Sequence, residues 1–164
     1  MRYLKGTKEY KLEYNKTITP EICGYTDADW GGDPVTRKST TEYVFTMAGG
    51  SVSWNVKRQA SVAFSSCEAE FVALSRTIRE ALWWKQLLKE IDTQHMIQIF
   101  CDNQSAICLA QNEGNSPKTK HVAIRYCFVK DTLDNGDVEL QYIPSDQQPD
   151  DGFTKVLPRQ TKDL

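Results

Sequence analysis

The spacing of hydrophobic residues changes from a strand-like to a helical period partway along the chain. A polar lead covers residues 1–20; alternating β-formers in "EICGYTDADW" then predict a strand, and "GGDPVTRKST" predicts a turn. "TEYVFTMAGGSVSWNV" predicts a hairpin whose arms are joined through Gly49 and Gly50. From Ser65 a helical stripe predicts a long helix, with Ser65 or Ser66 as its N-cap. The residues of this stripe are Cys67, Glu70, Phe71, Leu74, Ile78, Ala81, Leu82 and Leu88.

The second half of the chain alternates strands and helices. "HMIQIFCD" predicts a buried strand, and a helix follows from Asn103 to Asn112. "KHVAIRYCFVKDTLDNG" predicts another helix, "DVELQYI" a strand, and "PSDQQPDDGFTKVLP" a short last helix capped by Ser145. Three leading strands followed by this alternation predict one α/β domain, in which helices cover the faces of a mixed sheet.

Composition and charge narrow the class of protein. With 164 residues, 40% of them hydrophobic, the chain is long enough to bury one core. The charged N-terminal segment and the short apolar runs predict neither a secretory signal nor a membrane span. Five scattered cysteines without a CxxC pair predict reduced, buried thiols in the cytosol or nucleus. The net charge of −2 is no signature of nucleic-acid binding, and the basic clusters at 36–40, 56–59 and 116–121 are also compatible with an ordinary solvated surface.

Four carboxylates lie at the boundaries of the predicted elements. Asp27 lies near the end of the first strand, Glu70 in the first turns of the long helix, and Asp102 at the end of the fourth strand. Asp151 lies in the last predicted helix. If strands one and four are parallel neighbours, Asp27 and Asp102 meet at one edge of the sheet, where open α/β sheets bind ligands.

Helical phase separates Glu70 from Glu68. Relative to Leu74, Glu70 lies about −40° round the helix, inside the apolar stripe, whereas Glu68 lies about 120° away and should face water. A buried carboxylate needs a neutralising partner, which could be a metal ion or an Arg or Lys side chain. Convergence of all four carboxylates would favour two Mg²⁺ or Mn²⁺ ions, because these metals prefer oxygen ligands and paired ions promote phosphodiester hydrolysis.

Several segments carry a resemblance to a known family. They are "GYTDADWGGD", "RKSTTEYVF", "GGSVSWNVKRQASVAFSSCEAEFVALS", "ALWWKQLL", "CDNQSAICLA", "KTKHVAIRY" and "QYIPSDQQPDDGFTKVLP". In this order they resemble the ribonuclease H domain of copia-type LTR retrotransposon polyproteins, and "RYLKGTKEYKLEY" resembles the end of the reverse transcriptase just upstream. The resemblance implies the ribonuclease H fold, a mixed five-stranded sheet flanked by helices. It divides the chain into the lead at 1–20, the domain at 21–158 and a tail at 159–164.

The resemblance also implies an activity and its residues. Members hydrolyse the RNA strand of RNA–DNA hybrids with two Mg²⁺ or Mn²⁺ ions and leave 3′-hydroxyl and 5′-phosphate ends. Strand parity does not separate Asp27 from Asp29, and only the family pattern prefers Asp27. The histidine that cellular members carry before the last acid is absent from "IPSDQQ". The implied catalytic and metal-binding acids are Asp27, Glu70, Asp102 and Asp151.

Substrate contacts are expected from the basic clusters and from polar side chains beside Asp102. Phosphate contacts would provide affinity without sequence preference, and ribose contacts would distinguish RNA from DNA. Asn103 and Gln104 are the ribose candidates. His121 is either a surface residue or a substrate contact, and Trp54 either packs in the hairpin or stacks on a sugar. The phosphate candidates are Arg37, Lys38, Lys57, Arg58, Lys118 and Lys120.

The expected partners follow from the same resemblance. They are the hybrid and the reverse transcriptase portion of the parent polyprotein, and no membrane partner is expected. The isolated domain is expected to be monomeric. Its expected location is the cytoplasm, a virus-like particle or the nucleus. The alternative function is a catalytically weak nucleic-acid-binding or scaffolding module on the same fold. Where the family usually has small apolar and bulky aliphatic residues, this chain has Asp150 and Gly152, which predicts a loosely held Asp151.

Overall fold

One mixed sheet of five strands forms the centre of the molecule. The computed structural model describes residues 5–6, 8–9, 11–18, 21–91, 96–112 and 120–148, with only the backbone at 120–122. β1 pairs antiparallel with β2 and parallel with β4; β2 and β3 are antiparallel, and β4 and β5 parallel. The order β3-β2-β1-β4-β5 confirms the predicted mixed sheet. The strands are β1 (Ile22–Asp29), β2 (Thr40–Met47), β3 (Gly50–Arg58), β4 (Ile97–Cys101) and β5 (Val138–Tyr142).

The β2–β3 hairpin turns one residue earlier than the sequence indicates. Met47 pairs with Gly50, and the turn residues Ala48 and Gly49 have φ angles of 52° and 82°. Positive φ at both positions matches the tight turn whose twist suits a right-handed hairpin. The prediction of Gly49 and Gly50 as the turn was therefore wrong by one residue. Gly50 belongs to β3, where an added Cβ would lie 2.7 Å from the ring of Tyr14.

The long helix α1 (Ser66–Glu90) begins at an N-cap, Ser65. The Ser65 hydroxyl oxygen accepts a hydrogen bond from the backbone N–H of Glu68 at 3.1 Å. The Glu68 carboxylate in turn accepts one from the N–H of Phe64 at 2.8 Å. The choice of Ser65 as N-cap is confirmed, and Glu68 is occupied at the helix end rather than turned towards the core.

The main core lies between α1 and one face of the sheet. Phe71, Leu74 and Ile78 of α1 are completely buried, as helical phase predicts, and they belong to the same cluster as Phe45 of β2 and Ile99 of β4. Full burial of each such side chain contributes about 1.5–3 kcal/mol. This packing fixes α1 on the sheet, so the position of its first turns relative to β1 is set by the core.

Two shorter helices, α2 (Gln104–Gln111) and α3 (Lys120–Asp134), complete the described helices. Ala110 of α2 and Tyr126 of α3 join the core of α1, and the Tyr126 ring stacks on Phe71 with centroids 6.5 Å apart. After β5 the chain forms a short 3-10 helix at Ser145–Gln147. Ser145 lies inside this helix, so the prediction that it caps the last helix was wrong; residues 149–158 lie outside the described part.

The cysteines are less buried than predicted. All five are free thiols, but only Cys101 is buried, while Cys108 and Cys127 are exposed on α2 and α3. Cys23 and Cys67 are half-buried. The prediction of buried thiols was therefore wrong for Cys108 and Cys127, because both lie outside the apolar faces of their helices. Within the described ranges, no helix is both long enough and apolar enough to cross a bilayer.

Candidate active site

The ends of β1 and β4 bring two of the predicted acids together. Thr26 of β1 is aligned with Cys101 of β4 in the parallel pair, so the residues that follow them, Asp27 and Asp102, are neighbours at one sheet edge. Asp27 is 6% exposed, and Asp102 is half-buried. The expected convergence of these two carboxylates is a consequence of strands one and four being parallel neighbours.

The third acid reaches this edge from the first turns of α1. Glu70 is 6% exposed, and the backbone N–H of Ala28 donates a hydrogen bond to its carboxylate. The buried side-chain amide of Gln59 links the start of α1 to β2. Its Nε2 donates to the carbonyl oxygen of Ala69 at 2.9 Å and to the Thr41 hydroxyl at 3.0 Å. These contacts position the Glu70 carboxylate against β1.

The pKa of Glu70 is strongly raised in this cluster. Burial is the largest cause that raises the pKa of Glu70, from 4.5 to about 9, followed by the charges of Asp27 and Asp102. At neutral pH Glu70 is therefore protonated and donates a hydrogen bond to the Asp27 carboxylate, whereas the Ala28 N–H weakly favours its ionised form. Without a cation, this cluster relieves its repulsion by holding a proton.

The donor set fits a divalent cation that prefers oxygen. One carboxylate oxygen each from Glu70 and Asp102 and the Cys101 sulfur all lie within 4.8 Å of one another. Glu70 Oε2 is buried and has no hydrogen-bond partner among the described residues. Burial raises the pKa of the Cys101 thiol far above its usual range, so this thiol is neutral and a poor ligand. The carboxylates, and not the sulfur, are therefore suited to hold Mg²⁺ or Mn²⁺.

Three neighbours of this cluster were missed from the sequence. The Ser145 hydroxyl donates to Asp102 Oδ2 at 2.6 Å, and Gln148 Nε2 donates to the Thr26 carbonyl at 3.1 Å. Glu42 of β2 is fully buried and is aligned with Asp27 in the antiparallel pair. Ser145 lies 43 residues beyond Asp102, and Gln148 lies 122 residues beyond Thr26, so no local pattern indicates these contacts. The alternation of β2 could have placed Glu42 beside Asp27.

Of the remaining candidate acids, one lies away from the cluster, and the others fall in a part of the chain that the structure does not describe. Asp29 is the exposed last residue of β1, and a Cβ added to Gly32 would lie 1.6 Å from its carboxylate, so this side chain lies against the β1–β2 loop. Asp151, together with Asp150 and Gly152, falls outside the described residues. The fourth ligand therefore stays a prediction.

The predicted substrate contacts are spread over several surfaces. The Asn103 side chain caps α2 by accepting the N–H of Ala106 at 2.9 Å, and Gln104 is exposed beside it. Arg58 forms an ion pair with Asp33 in the β1–β2 loop, which also contains exposed Arg37 and half-buried Lys38. Trp54 is 57% exposed. The side chains predicted to bind substrate that lie outside the described part are Lys118, Lys120 and His121.

Sequence comparison relates the chain to transposon polyproteins. It is 39% identical over 165 residues to the retrovirus-related Pol polyprotein from transposon TNT 1-94 of Nicotiana tabacum, an alignment that covers all of this chain. It is 34% identical over 161 residues, 97% of the chain, to that from transposon RE2 of Arabidopsis thaliana. The chain spans only 12% and 11% of these two polyproteins. No protein-family model matches the chain.

Comparison with solved structures identifies the fold. LC11-RNase H1, isolated from compost, superposes with a TM-score of 0.60 at 15% identity, over 79% of this chain and 88% of that one. The protease-reverse transcriptase of Prototype Foamy Virus gives 0.57 at 14% identity, over 93% of this chain and 21% of that one. Together with the polyprotein relatives, these similarities show that the chain belongs to the copia-type transposon Pol polyproteins, as a segment with the ribonuclease H fold.

Proposed function

We propose that this chain is a metal-dependent endonuclease that hydrolyses the RNA strand of RNA–DNA hybrids. The observation that supports it most directly is the convergence of Asp27, Glu70 and Asp102, where burial and then the charges of the two aspartates raise the pKa of Glu70 to about 9. Carboxylates that retain a proton at neutral pH in the absence of metal would be stabilised by a bound cation, which supplies the compensating positive charge. LC11-RNase H1, which shares the fold, has been solved with an RNA/DNA hybrid.

The proposed reaction breaks one phosphodiester bond of the RNA strand. Water attacks phosphorus, the bond to the 3′ oxygen breaks, and the products carry a 3′-hydroxyl and a 5′-phosphate. Two divalent ions held by Asp27, Glu70, Asp102 and Asp151 would activate the water and stabilise the leaving oxygen. The protein residues supply position: the Ser145 hydroxyl orients Asp102, and the Ser65 hydroxyl caps the helix turn that carries Glu70.

The test uses the purified chain with four labelled substrates: an RNA–DNA hybrid in which either strand carries the label, duplex DNA and duplex RNA. In Mg²⁺ or Mn²⁺ only the RNA strand of the hybrid should be cleaved, and EDTA should stop the reaction. Glu70→Gln should abolish cleavage, whereas the matched variant Glu68→Gln, which alters the helix cap, should retain it. Hybrid binding without turnover in either metal would favour the alternative, a binding or scaffolding module.

The reverse transcriptase portion of the parent polyprotein is the proposed partner of this segment. The foamy virus structure, which joins a protease and a reverse transcriptase in one protein, supports this proposal through its shared fold. On this view the isolated chain binds the hybrid weakly, and its affinity falls as salt rises because few phosphates are contacted. A polyprotein fragment that also contains the upstream segment should bind more tightly than this chain alone.

A further inference from the structure

A second concentration of like charge lies on the far side of α1 from the carboxylates. An open cavity of about 530 Å³ is bordered by β3, α1 and α3, and we call it the arginine cavity. Four of its lining side chains are cations, and none of its described lining residues is acidic. The cations are Lys57 of β3, Arg76 and Arg79 of α1, and Arg125 of α3.

In the part of the chain that the structure describes, no carboxylate forms an ion pair with these cations. Among the described residues, none of the four forms an ion pair, and Nη1 of Arg76 is buried without a hydrogen-bond partner. The carboxylate of Glu80, the next residue after Arg79, accepts hydrogen bonds from Tyr43 at 3.2 Å and Ser53 at 2.8 Å. Burial lowers the pKa of Arg76, and the charges of Arg125 and then Arg79 lower it further. A guanidinium group cannot deprotonate near neutral pH, so the charge persists.

The lining of the cavity provides donors suited to an oxyanion. Guanidinium groups bind phosphate and carboxylate oxygens in a bidentate manner, and Asn55 and Ser75 add uncharged polar groups to the wall. A buried guanidinium nitrogen without an acceptor is costly, and an anion in the cavity would supply the acceptor.

The cavity is a separate surface from the carboxylate cluster. At 100° and 1.5 Å per residue, Arg76 and Arg79 lie about −120° and 180° round α1 from Glu70, and about 9–14 Å farther along its axis. A nucleic-acid strand carries one phosphate per about 3.4 Å of helix axis, so this offset corresponds to about three or four nucleotides. Along the α1 axis, the cavity is therefore offset from the carboxylates by a length comparable to a few nucleotide steps.

We propose that the arginine cavity binds a backbone phosphate of the nucleic-acid substrate, several nucleotides from the bond that is cleaved. This inference rests on the proposed function for the identity of the polyanion. Among the expected phosphate contacts whose side chains the structure describes, only Lys57 lines the cavity; Arg76, Arg79 and Arg125 are additional. The cavity would hold the duplex in register while the carboxylates act on the RNA strand.

The test measures binding of a fluorescent RNA–DNA hybrid by anisotropy in EDTA, so that no cleavage occurs. Exposed Arg79 is replaced in Arg79→Gln, and the matched variant is Lys89→Gln, which removes one exposed positive charge from the last turn of the same helix. We expect Arg79→Gln to weaken binding by about three- to tenfold and to lower the slope of log affinity against log salt by about one. Lys89→Gln should match wild type, and Arg79→Gln/Arg125→Gln should weaken binding further.

The outcomes separate this proposal from the proposed function. Wild-type affinity and salt slope in folded Arg79→Gln and in the folded double variant would overturn the cavity proposal, even if the chain cleaves hybrids. Arginine-dependent binding by a chain that cleaves nothing in Mg²⁺ or Mn²⁺ would support the cavity and reject the nuclease. A glutamate-rich peptide whose binding requires the arginines, while hybrid binding does not, would instead assign the cavity to an acidic protein partner.

Discussion

The carboxylate cluster and the arginine cavity both include side chains of α1, and they concentrate charges of opposite sign. Both concentrate side chains of one sign, and each contains a buried polar atom with no hydrogen-bond partner among the described residues, Glu70 Oε2 in one and Arg76 Nη1 in the other. The carboxylates relieve their repulsion by taking up a proton, because an acid in a crowded, desolvated place becomes neutral. The guanidinium groups have no such route at neutral pH and stay charged.

This difference predicts how each surface responds to its surroundings. The carboxylate cluster should respond to pH and to divalent cations, which compete with the proton for the same oxygens. The arginine cavity should respond to ionic strength and to polyanions, and hardly to pH. Activity, stability and binding measurements can therefore distinguish the two surfaces on the same protein.

The largest expected effect comes from the acid at the end of β1. Asp27→Asn removes a charge that faces Glu70 in the buried cluster, and we expect hybrid cleavage to fall by at least about a hundredfold with the fold retained. Asp29→Asn, two residues later and exposed, should keep most of the activity. Initial rates in Mg²⁺ and melting curves of both variants provide the measurement. Equal loss in the two variants would contradict the assignment of Asp27.

The second prediction concerns stability in the absence of metal. The folded-state pKa of Glu70, about 9, lies above its ordinary value of 4.5, so between these pH values the folded state binds more protons than the unfolded state. The free energy of unfolding in EDTA should therefore be fully supported by this proton below about pH 4.5 and decline as pH rises towards 9, by about 6 kcal/mol in all, since one pKa unit corresponds to about 1.4 kcal/mol.

Urea unfolding across this pH range provides the measurement, with Glu70→Gln as the comparison. The neutral amide cannot titrate, so this variant should lose less stability than wild type as pH rises, whereas Arg79→Gln should keep the wild-type slope. Saturating Mg²⁺ should flatten the wild-type profile, because the cation replaces the proton. A slope that is identical in wild type and Glu70→Gln would show that the Glu70 proton does not support the fold.

The contrast also shows which parts of the site the sequence can predict. Helical phase selects Glu70 over Glu68 because the core side of a helix can be read from a local repeat. Parity in β1 could not separate Asp27 from Asp29; the buried contact with Glu70 separates them. The arginine cavity could not be predicted from the sequence. In the sequence, Arg76 and Arg79 resemble ordinary exposed helix residues, and Arg125 is brought beside them only by the packing of α3 against α1.

The fold followed more closely from the sequence than the details of its loops did. The element order and the mixed sheet were predicted, since strand and helix periods are local signals. The hairpin turn was misplaced by one residue, because Ala48 adopts a positive φ that is more typical of glycine. The hydroxyl of Ser145 was predicted as a helix cap and instead donates to Asp102, a choice that depends on the distant end of β4.

A smaller effect is expected at the outer side of the carboxylate cluster. Ser145→Ala removes the hydroxyl that donates to Asp102 Oδ2 at 2.6 Å, in an exposed position where water can replace it. We expect cleavage to fall by about threefold, in proportion to one net hydrogen bond. Ser61→Ala, in the exposed loop before α1, is the matched control and should leave the rate unchanged. Loss of activity as large as in Asp27→Asn would mean that Ser145 does more than orient Asp102.

The smallest effect concerns the stability of the arginine cavity without a ligand. Arg76 and Arg79 are three residues apart on α1, and like charges at this spacing destabilise a helix by about 0.2–0.5 kcal/mol. At low salt Arg79→Gln should therefore unfold at a temperature about 1–2 °C higher than wild type, and the gain should vanish as salt screens the repulsion. Lys89→Gln should instead lower the unfolding temperature, because the Lys89 ammonium interacts favourably with the negative end of the α1 dipole. Melting curves at low and high salt measure both variants. A loss of stability in Arg79→Gln would show that the guanidinium packs favourably and that the cavity is not strained by its own charge.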